Sequence, residues 1–262
     1  MKSTLEQIDA IKRDGYSIDF SNVFNHAFEN YKKIAIYSGV IMLILTLIFF
    51  GFFTILSAFY GNLQGLVDNY IKALGNTVSV EYLTIMGVIT FITALFTPIG
   101  AGFLKAAECA DIDEKINFST VFTYYRPKYF FHLFSLAFIL GFLSILLNYS
   151  LDSLGIFYLG AALSLFISYF TFFAIPLIVF GGLNVFEAIK SSIILVSKNP
   201  ITIFGLFIVA YIGAMVGIFA CVVGLFFTAV FSTSVTYAAY FSIFDNEEKR
   251  DPIDSIGRSD LE

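Results

Sequence analysis

The sequence predicts an all-α polytopic membrane protein with six transmembrane helices arranged as three hairpins, each preceded by a cytoplasmic amphipathic helix. Three observations predict this fold class. Hydrophobic residues make up 58% of the 262 residues and charged residues only 13%, against about 25% in an average soluble protein. The mean hydropathy is +0.84. The few charged residues leave five long uncharged stretches, at 34–67, 82–104, 129–151, 153–186 and 199–244.

The length of each uncharged stretch indicates how many membrane spans it can hold. A helix needs about 20 apolar residues to cross the hydrocarbon core, so the first four stretches hold one span each. The fifth has 46 residues, too many for one helix rising about 1.5 Å per residue, and is predicted to be a hairpin that turns near Cys221. The six spans are predicted at about 34–59, 83–104, 129–149, 156–180, 201–219 and 224–244.

The basic residues predict the orientation. With six spans, fourteen of the fifteen Lys and Arg lie on one side and only Lys72 lies on the other. Basic residues concentrate on the cytoplasmic side of membrane proteins, so both termini are predicted to be cytoplasmic. Residues 1–33 then form a cytoplasmic segment with short amphipathic helices, one of them at 4–13 and ending at Asp14-Gly15. Residues 245–262 form a polar, acidic cytoplasmic tail that we expect to be disordered.

Three cytoplasmic segments resemble one another and predict an internal repeat. FSNVF at 20–24 is echoed by FSTVF at 118–122 and by LNVF at 183–186. Each segment has a predicted N-cap residue, Ser21, Ser119 or Asn184, and Asn184 followed by Glu187 has the spacing of a capping box. The repeating unit is therefore a short helix followed by a transmembrane hairpin, used three times in the same orientation.

Two placements are open for these short helices. In the first, they lie on the inner leaflet, with apolar positions such as Phe186, Ile189, Ile193 and Val196 in the acyl boundary. In the second, they are connectors packed on the ends of neighbouring spans. In the first placement, the basic residues that end the segments contact lipid headgroups, including anionic ones. These predicted headgroup contacts are Lys32, Lys33, Arg126, Lys128 and Lys198.

Small and hydroxyl residues recur at spacings of three and four along several spans. This pattern is typical of membrane helices that approach one another closely. The alternative is that these residues line a polar path or cavity. Pro98 and Pro176 lie near the cytoplasmic ends of their helices, are each followed by glycines, and are candidate hinges beside such a cavity. The candidate hinge or cavity residues are Thr97, Pro98, Ser164, Ser168, Pro176, Ser232 and Thr236.

Reactive groups are scarce, so the sequence predicts no catalytic, cofactor-binding or metal-binding residue. The chain has two His and two Cys, and His26 is interpreted as a polar surface residue. The acidic stretch 108–114 lacks the spacing of a calcium-binding loop and is interpreted as solvated. Well inside the predicted spans there is no acidic or basic residue of the kind that proton-coupled transport requires, and His132 lies near the start of the third span. The net charge of −5 disfavours nucleic acid as a partner.

Several short motifs resemble the YciC-like family of bacterial inner-membrane proteins and the membrane domain fused to some glycerophosphoryl diester phosphodiesterases. The resemblance covers most of residues 20–244. It implies a six-helix protein of the bacterial inner membrane and supplies no catalytic residue. Similar sequences labelled as carotene oxygenases do not change this, because two histidines cannot supply a four-histidine iron site. The motifs are Val23-Phe24, Val121-Phe122, Val185-Phe186, Pro98-Ile99-Gly100 and Asn199-Pro200.

The leading hypothesis is a non-enzymatic inner-membrane protein that organises membrane lipids or protein partners through its interfacial helices. The protein partner itself cannot be named from the sequence. The alternative is a small permease, channel or lipid-handling protein that uses Ser/Thr-lined, proline-kinked helices. An intramembrane hydrolase is a third hypothesis, which an acid–histidine pair inside the bundle would favour.

Overall fold

A computed structural model of the chain describes residues 3–60, 65, 68, 70–72, 75–220 and 223–248. Of these residues 86% are helical and none is in a strand. Six helices are long and apolar enough to cross a membrane: Phe20–Gly51, Val80–Asp111, Pro127–Ser153, Leu159–Val179, Pro200–Phe219 and Gly224–Phe244. The predicted fold class, an all-α protein with six membrane spans, is confirmed.

Ten α-helices within the described residues carry the fold, and we number them in chain order. Single 3-10 turns follow α4, at Thr123–Tyr125, and α9, at Val216–Ala220. The α-helices are α1 Thr4–Asp14, α2 Phe20–Tyr60, α3 Val80–Asp111, α4 Phe118–Val121, α5 Pro127–Ser153, α6 Leu159–Phe170, α7 Ala174–Val179, α8 Val185–Lys198, α9 Pro200–Met215 and α10 Val223–Glu248.

Local sequence explains where several of these helices begin and end. Asn184 and Glu187 form the predicted capping box at the start of α8, and each side chain accepts a hydrogen bond from the other residue's backbone N–H. Helix α1 ends at Gly15, whose φ of 72° suits glycine. Pro200 opens α9, where its missing N–H costs no helical hydrogen bond.

Two predicted N-caps are wrong because other residues take these positions. Helix α2 already includes Ser21, and the side chain of Asp19 accepts the N–H of Asn22 (2.7 Å). At α4 the N-cap is Asn117 rather than Ser119. In both cases the polar residue that begins the helix lies two positions earlier in the chain than predicted.

Residues 20–33 form the first part of α2 and not the separate surface helix that was expected there. The 41 residues of α2 run without interruption from Phe20 into the first span, about 60 Å at 1.5 Å per residue. A hydrocarbon core is about 30 Å thick, so the N-terminal part of α2, which carries Glu29, Lys32 and Lys33, extends beyond the core. No proline or glycine occurs between Phe20 and Tyr37 to stop the helix.

The predicted fourth span, 156–180, is divided in the structure. Helix α6 ends at Phe170 and α7 begins at Ala174, with three turn residues between them. Pro176 accounts for part of this break, because a proline N lacks the hydrogen that would bond to the carbonyl four residues earlier. The expected turn at Cys221 and most of the predicted tail, 249–262, lie outside the described residues.

The spans that pack most extensively against each other are not always the two helices of one predicted hairpin. Helix α2 packs most extensively against α10, α3 against α5, and α9 against α10. Small residues allow close approach, since a methyl group at Gly39 would overlap the ring of Phe227, and one at Gly213 would overlap Phe231. Large apolar side chains such as Phe50 and Phe131 are exposed on the outside of the bundle, as a lipid environment permits.

Candidate functional site

Three short helices, α1, α4 and α8, lie against one end of the bundle, and we call them together the platform. Ile11 of α1 is fully buried. The Tyr16 hydroxyl, just after α1, donates to the carbonyl of Leu195 in α8 (2.9 Å). Burial raises the pKa of this phenol, so it stays neutral. Val121 of α4 is also fully buried and lies against Gly102 of α3. The platform is therefore fixed to the spans.

Helix α8 has apolar residues on two faces. Ala188, Leu195 and Val196 are fully buried against neighbouring helices, which is the packing that a connector helix requires. Phe186 and Ile193 are 75% and 42% exposed. Only these two of the four positions predicted to enter the acyl boundary are exposed, so α8 combines the two placements considered above.

A cavity of about 660 Å³ lies at the platform end, bounded by α1, α3, α5, α7, α10 and the turn after α4. Its polar side contains Lys105, Glu108, Tyr124, Arg126 and Tyr129. Lys105 Nζ lies 2.5 Å from Glu108 Oε2, so these two charges neutralise each other. Arg126 is exposed, and among the side chains that the structure describes none forms an ion pair with it.

Another part of this cavity's lining is aromatic. Phe180 follows α7 directly, and its ring centroid lies 5.2 Å from that of Phe241 and 5.7 Å from that of Tyr240. The rings of Phe244 and Tyr240 are tilted by 37° to each other, with centroids 4.5 Å apart. The cavity thus has one cationic, hydroxyl-bearing side and one apolar side, and it lies at the ends of the spans.

A second polar cluster joins α2, α3 and α10 at the same end. His26 Nε2 lies 2.7 Å from Asp111 Oδ1, and the Tyr237 hydroxyl donates to the other carboxylate oxygen (3.1 Å). One helical turn deeper, the buried Asn30 donates to the carbonyl of Ala107 (2.7 Å) and accepts from the Ser234 hydroxyl (3.1 Å). These contacts hold three spans together.

Sequence reasoning missed this cluster. His26 and Asp111 were interpreted separately, as a surface residue and as part of a solvated stretch. They are 85 positions apart in the chain, so no local spacing relates them. A weaker signal was present, because His26 and Asn30 share one face of a helix, as do Ser234 and Tyr237 on another.

The acid–histidine pair lies at the ends of the spans, among the residues that the structure describes. Its side chains are 38% and 34% exposed. Asp111 orients His26, but within the described part of the chain no Ser, Thr or Cys side chain is hydrogen-bonded to the imidazole, as a nucleophile would be. The described residues also contain no group of three or more His, Cys, Asp or Glu side chains that could hold a metal ion.

The hydroxyl residues that are candidates for lining a path form hydrogen bonds within their own helices. Each donates to a backbone carbonyl three or four residues earlier. None of them lines the cavity at the platform end or either of the lateral grooves. Asn148 adds an interhelical bond to one of them (3.3 Å). These residues are Thr97, Ser164, Ser168, Ser232 and Thr236.

The two prolines occupy different surroundings. Pro98 lies inside α3, which continues through it to Asp111. The Tyr125 hydroxyl, from the turn after α4, donates to the carbonyl of Leu95 beside this proline (3.0 Å). Pro98 is buried, so this added hydrogen bond satisfies backbone in a region away from water.

At Pro176 the helix is broken, and α8 supplies the missing partners. The Ser192 hydroxyl donates to the carbonyl of Phe170 (2.7 Å) and accepts the N–H of Phe173 (3.1 Å). Ser192 is fully buried. One side chain therefore satisfies a donor and an acceptor on the two sides of the break.

The five predicted headgroup contacts behave differently from one another. Lys33 is bonded to other residues of the protein: its ammonium donates to Asp113 and to the carbonyl of Ala110 (both 2.9 Å). Lys32 pairs with Glu29 (2.6 Å), and Lys128 lies over the ring of Tyr129, 5.4 Å from its centroid. All five are exposed. They are Lys32, Lys33, Arg126, Lys128 and Lys198.

Two lateral grooves flank α9. One, of about 350 Å³, lies between α2, α9 and α10 and includes Phe24 and Phe231. The other, of about 390 Å³, lies between α6 and α9 and includes Phe166 and Phe207. Both are lined almost wholly by apolar side chains, which suits the acyl chains that surround any membrane span. No family model, curated protein or solved structure matches this chain.

Proposed function

We propose that this chain is a non-enzymatic, multi-pass protein of the bacterial inner membrane that organises lipids at the inner leaflet. The observation that carries the proposal is the platform, which is fixed to the spans yet keeps apolar and cationic side chains exposed together. On α8, Phe186 and Ile193 flank the exposed Lys190. Such a face places apolar groups in the acyl boundary and cations among headgroups.

The proposed orientation puts the platform and both termini in the cytoplasm. Fourteen of the fifteen basic residues belong to that side, and basic residues concentrate on the cytoplasmic side of membrane proteins. The anionic lipids of the inner leaflet are then the partners that this charge selects. A rigid platform would hold these lipids at fixed positions around the bundle.

A permease or channel is supported less well. Its polar path would need hydroxyl side chains that face a common space, and the candidates donate to carbonyls of their own helices. The lipid-handling form of the alternative is favoured by one specific observation, the cavity with a cationic and an aromatic side at the platform end.

Lipid enrichment around the full-length protein tests the proposed function. The protein is placed in nanodiscs of mixed phosphatidylglycerol and phosphatidylcholine, and native mass spectrometry counts the lipids that stay bound. Lys190→Gln should lower retention of phosphatidylglycerol several-fold, since each cation near an anionic surface contributes about 1 kcal/mol. Lys72→Gln, an exposed residue on the opposite side, is the matched control and should have no effect. Equal retention in both variants would contradict the proposal.

A further inference from the structure

We infer that the cavity at the platform end binds an amphiphile with an anionic oxygen headgroup, either a carboxylate or a phosphate ester, and one acyl chain. The inference deepens the proposed function and rests on it, since both place this end of the bundle at the inner leaflet. It differs in its site, which is the cavity between helices rather than the exposed face of the platform.

Two buried tyrosines point to a polar ligand group. Tyr124 and Tyr240 line the cavity and are each only 5% exposed. Within the described part of the chain neither hydroxyl has a hydrogen-bond partner, and neither is among the fully buried unpaired polar atoms, so both are accessible from the cavity and free to bond a ligand. Burial and the nearby Glu108 carboxylate raise the pKa of Tyr124, so its hydroxyl is a neutral donor. An oxygen-rich headgroup would accept hydrogen bonds from both tyrosines.

The charge balance selects an anion. Lys105 and Glu108 lie 2.5 Å apart and cancel, which leaves Arg126 as the cation of the cavity without an ion pair among the described side chains. A guanidinium binds carboxylate and phosphate groups with two parallel hydrogen bonds. The headgroup is therefore expected between Arg126 and the tyrosine hydroxyls.

The other side of the cavity fits an acyl chain. Phe180, Phe241 and Phe244 form an aromatic wall that the ring of Tyr240 makes continuous. Val179 of α7 also lines the cavity. The volume of about 660 Å³ falls within the roughly 300–1,000 Å³ of ordinary ligand pockets. Because the cavity lies where the spans end, a chain could enter from the acyl region while its headgroup stays at the interface.

Photo-crosslinking of the full-length protein in phosphatidylcholine nanodiscs tests this site. The probe is lysophosphatidylglycerol with a diazirine in its acyl chain, and mass spectrometry maps the labelled peptides. We expect label on residues 179–180 and 240–244. A lysophosphatidylcholine probe with the same chain should label them weakly. Unlabelled oleate, lysophosphatidylglycerol and inorganic phosphate are added as competitors to separate carboxylate, phosphate-ester and free-phosphate binding.

Matched variants separate the headgroup site from general charge. Arg126→Gln should lower labelling of residues 240–244 about tenfold, because a hydrogen bond to a charged group is worth about 1.5–3 kcal/mol, and Arg126→Lys should lose less. Lys128→Gln removes an equal charge two positions away, outside the cavity lining, and should leave labelling unchanged. Gln7→Trp should fill the cavity and block labelling, whereas Asp9→Trp, on the exposed face of α1, should not.

The outcomes are distinct. Equal labelling by the two probes, or equal losses in Arg126→Gln and Lys128→Gln, would overturn the inference. Full displacement by inorganic phosphate would overturn the acyl-chain part. If cavity labelling fails while Lys190→Gln still reduces phosphatidylglycerol retention, the inference falls and the proposed function stands. Circular dichroism and thermal unfolding of each variant confirm that a loss of label is not a loss of fold.

Discussion

The two proline sites show how the same residue leads to different helix geometry in one protein. Pro98 and Pro176 both lie toward the basic end of the second helix of a predicted hairpin, and both are buried. Helix α3 continues through Pro98, whereas the fourth span is interrupted before Pro176. A proline removes one backbone hydrogen bond in each case, so the proline alone does not decide between a continuous and a broken helix.

What differs is the side chain that lies beside each proline. Beside Pro98, Tyr125 offers one donor, which adds a hydrogen bond to a carbonyl of an otherwise intact helix. Beside Pro176, Ser192 offers both a donor and an acceptor and so stabilises a gap of a full turn. In a membrane, irregular backbone persists only where such partners are available. Helix α8 and the turn after α4 therefore stabilise the backbone of the spans that they contact.

Removal of Ser192 is the largest expected perturbation of this contrast. Ser192→Ala leaves the Phe170 carbonyl and the Phe173 N–H without the partner that now bridges them. Each unsatisfied buried group costs about 1–3 kcal/mol, so we expect a loss of about 3 kcal/mol in the free energy of unfolding. An SDS titration followed by circular dichroism measures it. Ser191→Ala, its buried neighbour, is the control and should lose far less.

The close contact beside Pro98 comes next in size. A methyl group in Gly102→Ala would overlap the backbone of Val121, which cannot move without displacing α4. Overpacking of this kind costs about 1–3 kcal/mol. Gly100→Ala is the matched control, because nothing lies within 4 Å of its added methyl and the change should be neutral or stabilising. Equal effects in the same titration would contradict the close contact.

A rescue experiment asks whether Pro176 and Ser192 act together. In Pro176→Ala/Ser192→Ala the backbone N–H of residue 176 is restored, which allows the helix to close across 171–173. The double variant should therefore be more stable than Ser192→Ala. The expected difference is about 1 kcal/mol, the usual size of the coupling between contacting groups. The same unfolding assay gives the value. A double variant less stable than Ser192→Ala would show that the break does not depend on these two residues.

The smallest expected effect is at Tyr125. Tyr125→Phe removes one hydroxyl donor to Leu95, and α3 keeps the rest of its helical bonds. A single hydrogen bond contributes about 1 kcal/mol, which sets the expected destabilisation. Tyr211→Phe is the control, since its side chain is exposed. A loss at Tyr125 as large as that at Ser192 would remove the distinction between the two proline sites.

Some features of the functional end could be predicted from sequence, and others could not. The capping box of Asn184 and Glu187 and the end of α1 at Gly15 were predicted, because a helix terminus depends on residues within one turn. The contact between His26 and Asp111 was not, because it joins residues on two helices far apart in the chain. The cavity was missed for the same reason, since its lining comes from six separate elements.

By itself the sequence determined the membrane class and the six spans, because hydrophobicity summed over about 20 residues decides whether a segment crosses a bilayer. Only the tertiary structure decided that α2 continues from the predicted surface helix into its span, that the fourth span breaks at 171–173, and that the short helices form one platform. The break at 171–173 depends on Ser192, which reaches the Phe170 carbonyl only after the chain has folded. Such partners decide the backbone conformation in the membrane, because an unpaired backbone group there has no water with which to form a hydrogen bond.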